Sequence, residues 1–78
     1  MPSGRQIQSA RILAGLRQGE LALAAGVDVS TIVRMERSGL GTVRVQTRTT
    51  ELVVNALLAH GVELTPDGGA RPTVQKSR

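Results

Sequence analysis

The sequence predicts an all-α fold, a compact domain of four short helices with a short β-hairpin at its C-terminal end. Three observations carry that expectation. Apolar residues recur at helical spacing in four stretches, glycines stand where the stretches stop, and 78 residues suffice for one domain only. A chain of this size buries only about 60% of the surface its unfolded form exposes, which argues against a large enzyme cleft. There is no cysteine, so packing must hold the chain together in place of disulfides or thiolate-bound zinc.

Each element has a local reason. Met1 to Gly4 reads as a frayed start, because Pro2, Ser3 and Gly4 favour turns and caps. A first helix over about residues 5–14 sets Ile7, Ala10, Ile12, Leu13 and Ala14 at helical spacing and stops at Gly15. A second, from Gln18 to Ala25, aligns Leu21, Ala22 and Ala25 and ends at Gly26, which suits a left-handed C-cap position. A third runs from Val29 to Arg37 with Asp28 as its N-cap. Ile32, Met35 and Glu36 share one side of it, and Ser30, Val33, Arg34 and Arg37 the other.

Gly39 and Gly41 open a loop, after which Val43 to Gln46 alternates apolar with polar as a short strand does. Thr49 is expected to cap a fourth helix that carries Leu52, Val53, Ala56, Leu57 and His60 at helical spacing and stops at Gly61. Val54 and Leu58 extend its apolar surface to a neighbouring face, which predicts two packing partners. Val62 to Leu64 leads into a turn at Pro66 to Gly69, and Arg71 to Val74 returns as a hairpin strand. The folded domain is therefore assigned to residues 1–64, and residues 65–78 to the turn, the hairpin strand and a basic tail.

Composition narrows the partner. The 40% apolar content includes no Phe, Tyr or Trp, which excludes modules that stack unpaired bases on aromatic platforms. Net charge is +4, and nine of the ten basic residues are arginine. Residues 1–48 carry Arg5, Arg11, Arg17, Arg34, Arg37, Arg44 and Arg48 against Glu20, Asp28 and Glu36, while the remainder is balanced. A polyanionic partner for the first half follows. No apolar run approaches the roughly 18 residues that span a bilayer, and no secretory signal pattern is present, so a cytoplasmic location with no membrane association is expected.

The most informative unit is Gln18 to Glu36, two short helices joined by a tight turn. Helices so connected cross steeply, a geometry in which one rests across the phosphates of a duplex while the other enters the major groove. Leu16-Arg17-Gln18-Gly19-Glu20-Leu21-Ala22, then Ala25-Gly26-Val27-Asp28-Val29-Ser30-Thr31-Ile32, then Arg34-Met35-Glu36 closely resembles the Cro/repressor-type (XRE) helix-turn-helix family, with the likeness covering about residues 5–64. The resemblance implies a repressor-like fold, double-stranded DNA as the partner and a bacterial, phage or mobile-element setting.

Residue by residue, the resemblance implies that Val29, Ser30 and Arg34 read bases and that Thr31 touches base or backbone. Arg34 is the strongest of these, since a guanidinium pairs bidentately with guanine O6 and N7. Val33 departs from the polar residue usual there, and is either a groove contact or part of a patch against another helix or subunit. Arg17, Gln18, Arg37, Arg44 and Arg48 are the expected DNA-backbone contacts. Arg11 and Glu36 face one another if the first and third helices pack, which makes Arg11 a structural residue in a partly buried ion pair. Leu21, Ala25, Val27, Ile32 and Met35 would close the core between the helices.

Departures from the family pattern are Arg17 in place of a small hydroxyl cap, Gly19 in place of a helix former, Leu23 where a charge is common, and Ser38 where glycine usually ends the third helix. A fifth helix is missing, so Val54, Leu58, Val62 and Leu64 are the candidate aliphatic interface of a homodimer. His60 stands alone, with no second ligand at metal spacing, and no nucleophile or phosphate-loop motif accompanies it. No enzyme activity, no metal and no cofactor are expected. The resulting expectation is a regulator that binds a twofold operator as a homodimer, with contact to RNA polymerase open. Its rivals are an antitoxin or antiactivator whose main partner is a protein, and a DNA-bending excision factor of a mobile element.

Overall fold

The computed structural model describes residues 2–39 and 46–73. Its elements are α1 (Gly4–Leu13), α2 (Gln18–Ala25), α3 (Val29–Arg37), α4 (Thr47–Ala59), β1 (Val62–Leu64) and β2 (Ala70–Pro72). The four helices and the antiparallel hairpin match the expected architecture. The expected strand around Val43, the Arg44 backbone contact and the basic tail lie outside the described residues.

The first helix begins one residue earlier than its apolar spacing suggests, because Ser3 is a working N-cap: its Oγ accepts the Gln6 backbone N–H at 3.1 Å. Residues 3 and 4 are therefore not frayed. Gly4 is buried, and a Cβ built on it would press on the Met35 carbonyl and the Ser38 hydroxyl and come within 2.9 Å of the Glu36 carbonyl. The Arg5 backbone N–H, an otherwise unpaired donor of the first turn, donates to the Gly39 carbonyl at 2.6 Å. The start of α1 is thus seated directly on the end of α3.

Both turns that follow α1 and α2 close in the same way. Gly15 (φ 75°) and Gly26 (φ 76°) are left-handed, and paired backbone bonds, Leu16 N–H to Arg11 O at 3.1 Å and Val27 N–H to Ala22 O at 3.0 Å, wrap each helix end. The residues so folded back, Leu16 and Val27, pack against the core. Helix α3 ends differently from the family pattern: the Ser38 hydroxyl donates to Met35 O at 2.8 Å, and the left-handed glycine comes one residue later, at Gly39. Asp28 does occupy the N-cap position, yet its carboxylate makes no capping bond.

The helix α4 starts at Thr47 with Gln46 as its N-cap, three residues ahead of the Thr49 cap expected from sequence. Thr50, Val53, Ala56 and Leu57 form its buried face, while Leu52, at 40% exposure, and His60 point away from the core. The hairpin pairs Val62 with Pro72, Glu63 with Arg71 and Leu64 with Ala70, and a Glu63–Arg71 ion pair lies on its exposed side. Its turn is laced by Thr65, whose hydroxyl donates to Asp67 and accepts the Gly69 N–H, and these donors hold the Asp67 carboxyl below the usual carboxylate range.

The core is aliphatic: Ile7, Leu21, Ile32, Met35, Val53 and Leu57 are its largest fully buried side chains. α2 packs on α3 and α4, α1 on α3 and both strands, and α4 on β1. The buried Gln6 side chain joins the two ends of the chain, donating from Nε2 to the carbonyls of Thr65 (2.8 Å) and Gly69 (3.0 Å). Gln6→Leu keeps the volume but removes both bonds, and is expected to cost about 1–2 kcal/mol in urea denaturation. Unchanged stability would show that the hairpin turn does not depend on Gln6. Gly19, by contrast, is helical with open space around its Cβ position, so Gly19→Ala is expected to stabilise by about 0.5–1 kcal/mol in the same measurement.

Candidate nucleic-acid interface

Three residues, Gly26, Val27 and Asp28, connect α2 to α3, so the two helices must turn sharply and share a small core. Leu21, Ala22, Ala25, Ile32 and Met35 fill it, with Val27 half-buried at its edge, as the spacing predicts. Because α3 commits Ile32, Met35 and Glu36 to that core, its remaining residues face outward. Ser30, Arg34 and Arg37 are exposed, Val29 is 47% exposed, and Thr31 and Val33 are half-buried. At 100° per residue, Val29, Ser30, Val33, Arg34 and Arg37 occupy one continuous stripe, and Thr31 stands beside it.

At the start of α2, Arg17 is exposed in the N-cap position and its backbone N–H donates to Glu20 Oε1 at 2.7 Å. This is the bond by which the third helical residue of a capping box closes on the N-cap N–H, and the glutamate also lies favourably at the positive end of the helix. Gln18 follows, half-buried. Among the described residues Arg17, Arg34, Arg37 and Arg48 form no ion pair. Arg48 lines a shallow open groove on α4 with Glu51, Leu52 and Asn55.

Arg11 is engaged otherwise. Its Nε and Nη2 donate to Glu36 Oε2 (2.6 Å) and Oε1 (3.1 Å), and its Nη1 donates to the Leu16 carbonyl at 2.9 Å. The side chains are 13% and 4% exposed. Arg11 therefore fastens α1 to α3 and to the turn before α2, the structural role expected for it. Glu36 Oε1 also accepts the Gln18 side-chain amide at 3.1 Å, a contact that spacing alone does not reveal.

A family model for the helix-turn-helix matches residues 7–46, just over half of the chain. The chain belongs to the Cro/XRE-type helix-turn-helix family. It is accordingly a DNA-binding domain of the transcription-regulator type. The match stops where α4 begins, so all of α4 and the hairpin complete the domain outside the matched segment. No curated protein matches the chain.

Within this helix-turn-helix domain, the first residue of α2 meets α3 through the Gln18–Glu36 contact. The candidate dimer residues divide. Val62 is 3% exposed and belongs to the protein's own core, because β1 closes over α4. Leu64 is half-buried against that core and Val54 is half-buried, while Leu58 remains 43% exposed. Among the described residues no three His, Cys, Asp or Glu side chains gather as a metal site, and no helix is long and apolar enough to cross a membrane.

Proposed function

We propose that the protein is a sequence-specific regulator of transcription that binds a twofold-related operator as a homodimer, with α3 in the major groove. The observation that carries this reading is the outward stripe of α3, where the long donor-rich Arg34 is exposed beside Ser30 and Val29 and owes nothing to the core. Arg34 reads guanine, Ser30 and Thr31 add adaptable hydrogen bonds, and the Val29 and Val33 methyl groups contact thymine methyls. Arg17, Gln18, Arg37, Arg44 and Arg48 meet the backbone and set the salt dependence without setting sequence preference.

A single recognition helix offers few contacts, so two half-sites one helical turn apart are needed for specificity. Leu58 and Val54 on α4, with Leu64 of β1, are the aliphatic surface proposed to join two copies. Occupying a promoter in this way excludes polymerase, which makes repression the default outcome.

Footprinting on the DNA flanking its own gene tests the reading. Arg34→Ala is expected to lose about 1–3 kcal/mol of discrimination while keeping low-salt binding to any duplex. Uniform weakening on all sequences would instead make Arg34 a backbone contact. Sedimentation of the protein, free and on DNA, against Leu58→Glu tests the dimer; a monomeric wild-type protein in both states overturns it.

A further inference from the structure

The three-residue chain Arg11–Glu36–Gln18 has a consequence for DNA binding beyond fold stability. Glu36 is nearly buried, its two oxygens are taken by the Arg11 guanidinium, and Oε1 additionally holds Gln18 Nε2 at 3.1 Å. An amide beside a carboxylate has only one acceptable orientation, with its NH2 group inward, because the opposite flip would set the amide oxygen against a negative charge. One of the two Nε2 hydrogens is therefore committed to Glu36, and the other is held in a fixed direction at the first residue of α2. Arg11 neutralises the carboxylate, so the negative charge that orients the amide does not repel a phosphate approaching the same helix end.

We propose that Glu36 is a positioning residue for DNA-backbone binding: it holds the Gln18 amide so that its second N–H is presented to a phosphate, with Arg11 cancelling the charge that would otherwise oppose the contact. This rests on the reading of Gln18 as a backbone contact. The amide loses little rotational freedom on binding, because folding has already fixed it. Arg11 thereby assists DNA binding without touching DNA.

The test uses a mixed-sequence duplex at low salt, where backbone contacts dominate and no operator is required. Gln18→Ala is expected to weaken binding about tenfold, the size of a lost hydrogen bond to a charged group. Glu36→Gln is expected to weaken the wild-type protein by a similar factor, and to have no further effect once Gln18 is alanine. If Gln18→Ala changes nothing, the backbone reading of Gln18 falls and the proposal with it. If Gln18→Ala weakens binding but Glu36→Gln weakens both backgrounds equally, Glu36 acts through the fold alone and only the proposal falls. Should Glu36→Gln fail to fold, NMR of the 15N-labelled wild-type protein decides. On adding the duplex, one Gln18 side-chain amide proton is expected to stay hydrogen-bonded to Glu36 while the other shifts, and movement of both overturns the proposal.

Discussion

Replacing Gly4 by alanine is expected to destabilise the domain by about 3 kcal/mol, the upper end of what an overpacked contact costs, and to lower the thermal midpoint by roughly 10 °C or more. In an ordinary helix the same change stabilises, since alanine has the higher helix propensity. Here the sign reverses because the added methyl group meets backbone: the carbonyls of Met35 and Glu36, and beside them the Ser38 hydroxyl. Relief requires α1 to lift from the end of α3, which would also break the bond from Arg5 N–H to Gly39 O. The pair Gly4→Ala and Gly19→Ala gives a clean comparison in one thermal-melt series. If both changes raise the midpoint, the close approach of α1 to α3 is not a constraint on the fold.

The second large effect is expected from Arg11→Met. The substitution leaves the Glu36 carboxylate, 4% exposed, without its cation and removes the donor that reaches the Leu16 carbonyl. Breaking one partner of such a pair costs about 3–5 kcal/mol, most of it from the unpaired charge left behind. Arg11→Lys is expected to recover only part of this, because an ammonium cannot donate to both carboxylate oxygens and the carbonyl from a planar fork. The double change Arg11→Met with Glu36→Leu is expected to restore most of the stability, since no buried charge then remains. Chemical denaturation of the three variants checks this. A single Arg11→Met loss below about 1 kcal/mol would mean that water screens the pair despite its burial.

The parts of the fold legible in the sequence are those written in neighbouring residues. The limits of α2 and α3 were readable because Gly26 and Asp28 mark them locally, and the core between them because Leu21, Ala25, Ile32 and Met35 repeat at helical spacing. What escaped depends on distant residues. Gln6 contacts a turn 59 positions away, and Gly4 is constrained by the end of α3; neither relation leaves a periodic trace. A local signal for the first cap did exist, since Ser3 followed three residues later by Gln6 has the form of a capping box. In the structure Ser3 caps the helix as that pattern predicts, but the Gln6 amide turns to the hairpin instead.

The candidate site divides along the same line. The outward stripe of α3 follows directly from helical geometry once its buried residues are known. The Gln18–Glu36 bond joins residues 18 apart on different helices and becomes visible only when both are placed. Val62 shows the reverse error: its apolar character suggested a surface for a partner, while the hairpin turns it into the protein's own core.

The division of α3 into two sets of residues also bears on how such a domain changes over evolutionary time. Val29, Ser30 and Arg34 take no part in the core, and surface substitutions of that kind usually shift stability by less than about 0.5 kcal/mol. If these residues read bases as proposed, target preference can drift by single replacements while the scaffold stays intact, and a duplicated copy can acquire a new target without first gaining stability. Ile32, Met35 and Glu36, interleaved with them on the same nine-residue helix, have no such freedom.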